Sequence, residues 1–215
     1  MIKLNIDKKN LLEDVYIPDA FRKVVLRHLL MNYMPNINGH KPPIFLAIQG
    51  KKGEGKTYML SKIFQYYGVD ATFLSGSELC GPNEGDSKDK IMRLYEHLCA
   101  KMRIDKQLSA IVIDDFHLSI AADMGENTSK TINSQVLTGY LMDLADRPER
   151  NGVRIPIILT GNDFTKMYSA LLRNGRISFF KWQPSEVEKT HIVYYMFLQY
   201  YKNIKYEDVK QLIYR

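Results

Sequence analysis

The run Gly50-Lys51-Lys52-Gly53-Glu54-Gly55-Lys56-Thr57 meets the spacing GxxxxGK[ST] at Gly50, Gly55, Lys56 and Thr57. Glycines let backbone amides turn inward toward phosphate oxygens, and a helix N-terminus behind them adds its dipole. Lys56 then reaches the outer phosphates, and the Thr57 hydroxyl ligates Mg²⁺. All eight residues, Gly50, Lys51, Lys52, Gly53, Glu54, Gly55, Lys56 and Thr57, are expected to cradle a nucleoside triphosphate. A glycine turn that merely joins a strand to a helix does not call for Lys followed by Thr.

Three further constellations fit the same chemistry. Ile111-Val112-Ile113-Asp114-Asp115 is a buried strand tipped with two carboxylates, which such sheets deliver to the ligand-binding edge. Asp114 is expected to hold Mg²⁺ through its hydration shell, and Asp115 either to orient or deprotonate the attacking water or to cap the following turn. Thr160-Gly161-Asn162-Asp163 closes another apolar strand. Alone it signals a turn; beside a phosphate loop, the Asn162 amide suits the γ-phosphate or the lytic water. Arg173-Asn174-Gly175-Arg176 either ends a helix, with two arginines complementing its dipole, or supplies cations for charge developing on a phosphoryl group.

These residues need a frame, and the hydrophobic pattern provides one. Apolar runs at Ile44–Ile48, Ala71–Ser75, Ala110–Asp114, Ile155–Thr160 and Ile177–Trp182 read as strands. Helical periodicity is expected over Ala20–Met34, Thr57–Tyr67, Lys88–Met102, Ile132–Asp146 and Phe164–Arg173, with a polar loop over Ser119–Lys130. Alternation of this kind predicts an α/β three-layer sandwich. From Pro184 the character changes: Ser185 with Glu188 three residues on opens a helix through Tyr200, and another begins at Tyr206.

Composition narrows the class further. With 45% hydrophobic residues in 215, the chain is that of a folded protein of one or two domains. The net charge of +6 suits a nucleotide or nucleic-acid binder without singling one out. Cys80 and Cys99 form no metal or disulfide pattern, and no apolar run approaches a membrane span, so a soluble cytoplasmic protein is expected. His117 after the two carboxylates reads as a loop residue rather than a catalyst, and Tyr194, Tyr195, Tyr200 and Tyr201, near lysines, either stack nucleic-acid bases or, as their helical spacing favours, fill a small core.

The stretch from Ile155 to Trp182 resembles the corresponding part of the rubisco activase family, remodelling ATPases of the AAA+ class. Ile17-Pro18-Asp19-Ala20-Phe21, the phosphate loop and Leu74-Ser75-Gly76-Ser77-Glu78-Leu79 extend the likeness to about residues 15–190. The resemblance implies a P-loop NTPase AAA+ core over 1–183 with sheet order 5-1-4-3-2, and the start of a helical lid over 184–215. It also implies ATP and Mg²⁺ as ligands, hydrolysis, a hexameric homo-oligomer and a protein client. Asn162 then matches sensor 1, Arg173 and Arg176 match the arginine fingers given to a neighbouring subunit, and Ile17 and Pro18 match the segment on the adenine. Leu79-Cys80-Gly81-Pro82 matches the first pore loop, without the aromatic residue of many translocases. The second Walker B position carries Asp115 where many members have Glu, and no sensor 2 arginine is recognisable. Two other readings compete: a DNA-associated AAA+ ATPase, marked by salt-sensitive stimulation by single strands, and a small-molecule kinase, marked by a phosphorylated product.

Overall fold

The computed structural model describes residues 15–34, 42–79, 85–116, 128–150, 152–165, 171–173 and 175–214. Its elements are helix α1 (Asp19–Tyr33), strand β1 (Phe45–Gln49), helix α2 (Lys56–Tyr67), strand β2 (Asp70–Ser75), a 3₁₀ turn (Gly76–Leu79), helix α3 (Asp86–Asp105) and strand β3 (Ser109–Asp114). Helix α4 (Thr128–Asp146), strands β4 (Ile157–Gly161) and β5 (Ile177–Lys181), and helices α5 (Glu186–Leu198) and α6 (Tyr206–Ile213) follow. All five strands are parallel, in the order β2-β3-β4-β1-β5. This is the expected order read from its other edge.

Burial explains why these segments are strands. The central β1, β3 and β4 are apolar and buried almost throughout, because both sheet faces are covered. On the edge strand β5 burial alternates, with Ile177 buried and Phe179 half exposed. Phe45, Ile111, Ile113, Ile157 and Leu159 meet Ile91 and Tyr95 of α3 and Leu137 and Leu141 of α4 in one core. Leu46, Ile48, Val112 and Ile158 point the other way, into a second core with Phe21 of α1 and Leu60 and Ile63 of α2. Two cores, one per sheet face, make the three layers.

The two C-terminal helices pack against each other, and Ile192 of α5 also packs on the second core. Ser185 caps α5 in both directions: its hydroxyl accepts from the Glu188 N–H, and its own N–H donates to the Glu188 carboxylate at 2.8 Å. That reciprocal pairing satisfies two donors that a helix start leaves open. Tyr214 Oη donates to the Glu186 carbonyl at 2.7 Å, closing α6 onto α5. Tyr16, ahead of α1, stacks on His191 and Tyr195 of α5, with ring centroids at 4.9 and 5.9 Å. Tyr200 and Tyr201 differ from expectation: they are 81% and 62% exposed, because α5 stops at Leu198 and the chain turns outward before them.

Other boundaries move by a few residues. Helix α4 begins at Thr128, inside the span expected as a polar loop. The helix expected over Phe164–Arg173 lies largely outside the described residues, and its described ends, 164–165 and 171–173, are not helical. At the N-terminal end of the sheet, the Asn32 amide donates to the His28 and Pro43 carbonyls at 3.0 and 3.1 Å, and Arg154 donates to the Pro42 carbonyl at 2.6 Å. Burial drives the His28 imidazole down to about 4, so the ring is neutral there. Among the described residues no helix is long and apolar enough to cross a membrane.

Candidate functional site

The phosphate loop is a continuation of β1. Gly50 N–H donates to the Gly161 carbonyl at 3.1 Å, extending the β1–β4 ladder before the chain turns away. Gly55 then sits at φ +73° as the residue before α2, a left-handed conformation that a side chain would strain. Glu54 holds the loop closed: its carboxylate accepts the Lys51 N–H at 2.7 Å, and its carbonyl accepts the Trp182 indole N–H at 3.0 Å. Trp182 in turn donates its backbone N–H to Gln49 at 2.6 Å. The sequence pattern marked Trp182 only as a strand end, and a buried indole following the edge strand is the signal that points to this bracing role.

Lys56 is buried and lies across the loop, its ammonium donating to the Gly50 and Lys51 carbonyls at 2.8 and 2.9 Å. Burial pulls its pKa below the usual lysine value, while the carboxylates of Glu54, Asp115 and Asp114 offset part of that shift. The Thr57 hydroxyl donates to Asp114 Oδ1 at 2.8 Å, which brings together the two residues expected at Mg²⁺. Thr160, which sequence reasoning passed over, supplies a second hydroxyl to the same Asp114 oxygen. Its oxygen also accepts the Asp115 N–H at 3.3 Å.

A cleft of about 270 Å³ is lined by Lys56, Thr57, Asp114, Asp115 and Asn162 with Lys52 and Gly53. Three separate loops therefore meet at the C-terminal end of the strands. Lys52, Gly53, Gly55 and Tyr58 also line an adjoining, largely apolar cavity of about 580 Å³, whose far wall includes Val15, Tyr16, Ile192 and Tyr195. A polar end and an apolar end joined by one glycine loop suit a triphosphate and a nucleobase respectively. Ile17 and Pro18 are buried and do not line this cavity; Val15 and Tyr16 do. Ile17 packs in the core beside α1 and α2.

Thr57 and Asp114 offer hydroxyl and carboxylate oxygens, a hard donor set of the kind Mg²⁺ takes. Among the described residues no cluster of three His, Cys, Asp or Glu could hold a metal ion.

The arginines stand elsewhere. In the parallel register Ile177 pairs with Phe45, so Arg173 and Arg176, just before β5, lie at the opposite strand end from the phosphate loop. Arg176 forms two bonds to the Asp146 carboxylate at the end of α4, at 2.7 and 2.6 Å. This pairing holds the Asp146 carboxyl below the usual aspartate range. Arg173 is exposed, and its guanidinium makes no hydrogen bond or ion pair among the described residues. Leu79 is buried in the core, whereas Cys80, Gly81, Pro82 and His117 lie outside the described residues.

Fold and cleft together define a P-loop nucleoside triphosphatase. The model of the ATPase family associated with various cellular activities (AAA) matches residues 46–185, and the chain belongs to that family of ATP-binding, ATP-hydrolysing proteins. It is similar to ribulose bisphosphate carboxylase/oxygenase activase of Nostoc sp., with 32% identity over 208 residues, covering 92% of this chain and 49% of that protein. The chloroplastic activase of Spinacia oleracea is 32% identical over 193 residues, covering 85% and 40%. Activase 1 of Nicotiana tabacum is 31% identical over 221 residues, covering 97% and 48%. The chain thus spans about half the length of these curated relatives.

Proposed function

We propose that this chain is a Mg²⁺-dependent ATPase whose active site is completed by a neighbouring copy, in a ring that remodels a protein client. The observation that carries the reading is the division of the charged residues. Lys56, Thr57, Asp114, Asp115 and Asn162 share one cleft, while Arg173 and Arg176 lie a strand away, about 16 Å for five residues at 3.3 Å each. No side chain spans that distance, so the cations suited to transition-state charge serve another subunit's nucleotide.

In this reading the loop amides and Lys56 bind the phosphates, and the apolar cavity takes the base. Thr57 and Asp114 hold Mg²⁺, which when bound neutralises charge on the phosphate oxygens. Asp115 orients the attacking water and accepts its proton, and the Asn162 amide steadies that water or the γ-phosphate. Arg173 and Arg176 of the adjacent copy stabilise the departing charge, a contribution of about 10³ to 10⁵ in rate for a finger supplied in trans. Residues 1–183 act as the nucleotide-binding core and 184–215 as the start of a lid over the base. A hexamer is the proposed ring, and the buried thiol of Cys99 suits a reducing cytoplasm.

The relatives' names make ribulose bisphosphate carboxylase/oxygenase the first client to test. Phosphate release from Mg-ATP as a function of protein concentration, with mass by light scattering on the same samples, tests the shared site. Specific activity should rise as the assembly forms; activity independent of concentration in a monomer would contradict it.

A further inference from the structure

We propose that Gly76 and Thr160 hold the two peptides flanking Asp115 from opposite sides and so position the Asp115 carboxylate. The inference rests on the assignment of Asp115 to the attacking water and adds the residues that hold it.

The clamp follows from the sheet register. Strands β2 and β3 are parallel with Ser75 opposite Asp114, so the next residue, Gly76, comes level with Asp115. A methyl group at Gly76 would stand 2.4 Å from the Asp115 carbonyl oxygen, 2.9 Å from its carbonyl carbon and 3.2 Å from the Asp114 carbonyl oxygen. All three are backbone atoms, so a side chain there forces the Gly76 turn and the peptides flanking Asp115 apart. Asp115 itself sits at φ +50°, a left-handed conformation uncommon outside glycine that aspartate adopts more readily than most residues. Contacts on both sides support it there.

Thr160 provides that support from β4. Its hydroxyl accepts the Asp115 N–H and donates to the Asp114 carboxylate, and its carbonyl accepts the Phe116 N–H at 2.9 Å. Both polar groups flanking the turn are therefore tied to one residue. Gly76 also opens the 3₁₀ turn that runs to Leu79. Movement of that turn toward β3 is transmitted directly to Asp115, with no intervening side chain.

The test compares Gly76→Ala, Thr160→Val, Thr160→Ser and Asp115→Asn in the full chain at saturating Mg²⁺, measuring kcat, KM and ADP affinity. Gly76→Ala and Thr160→Val should each lose about 10²-fold in kcat, the scale of a 1 Å misplacement, with nucleotide affinity kept. Thr160→Ser should restore most of the rate because it keeps the hydroxyl. On the Asp115→Asn background Gly76→Ala should cost nothing further, since both act on one group. Wild-type kcat in Gly76→Ala, or losses that add in the double variant, while Asp115→Asn is itself measurably impaired, would overturn the clamp alone. An active Asp115→Asn would remove the Asp115 assignment and the clamp with it. Should Gly76→Ala fail to bind ADP, the Thr160 pair decides: equal kcat for Val and Ser overturns the proposal.

Discussion

The two ends of the sheet hold their polar residues in opposite ways. At the C-terminal end, Lys56, Thr57, Asp114 and Thr160 are wired to one another and to backbone, and Asp115 and Asn162 face the same cleft. At the N-terminal end, His28 and Asn32 are buried, half-buried Arg154 donates to a carbonyl, Arg176 is paired with Asp146, and Arg173 is exposed. One end is arranged for binding phosphates, while the other holds its polar groups in structural pairs apart from the exposed Arg173. The difference teaches what the proposed shared site rests on: the phosphate cradle lies within one chain, whereas Arg173 and Arg176 lie at the other strand end.

The largest effect should come from the exposed end. Arg173→Ala is expected to reduce turnover by about 10³-fold or more with nucleotide affinity unchanged, measured by steady-state phosphate release beside ADP titration. Next is the cleft itself, where Asp115→Asn should cost about 10² to 10⁴ in kcat, the range of a general base, again without loss of binding. If both lower the rate but only one alters affinity, the division between the ends is not the one drawn here.

His28 sharpens the contrast through pH. Its folded-state pKa of about 4 lies below the ordinary 6.5, so the unfolded chain binds the extra proton first. The corresponding stability is fully present above pH 6.5 and is lost as pH falls toward 4, by up to about 3 kcal/mol at 1.36 kcal/mol per unit. Denaturant melts of His28→Asn should show a flatter dependence across that window than the parent.

Tyr16→Ala should weaken ADP binding about tenfold, on the scale of about 1 to 3 kcal/mol for an aromatic ring stacked on a base, while Tyr16→Phe binds normally. Smallest is Trp182→Phe, which removes the indole bond to Glu54 and should lower the unfolding free energy in denaturant melts by about 1 kcal/mol with turnover largely retained.

The phosphate loop and the carboxylate-tipped strand were legible because backbone chemistry forces particular residue types: glycine where amides must turn inward, an apolar run where both faces are covered. All five strands followed from the same logic. Thr160, Gly76 and Trp182 were not legible, since their roles depend on pairs distant in sequence, Thr160 with Asp115 and Trp182 with Glu54, that only the sheet order brings together. That Val15 and Tyr16, rather than Ile17 and Pro18, line the apolar cavity was not legible, because a segment without periodicity gives no indication of which residue faces it. The exposure of Tyr200 likewise depends on where α5 stops, which helical spacing alone overshot.

The most direct test of the shared site is to mix Asp115→Asn with Arg173→Ala, each strongly impaired alone, and measure phosphate release. In a mixed ring some interfaces unite an intact Asp115 with an intact Arg173 from the next copy, so activity should return to about a quarter of the parent's for random assembly. A mixture no more active than its components, under conditions where the two proteins co-assemble, would contradict a site divided between subunits.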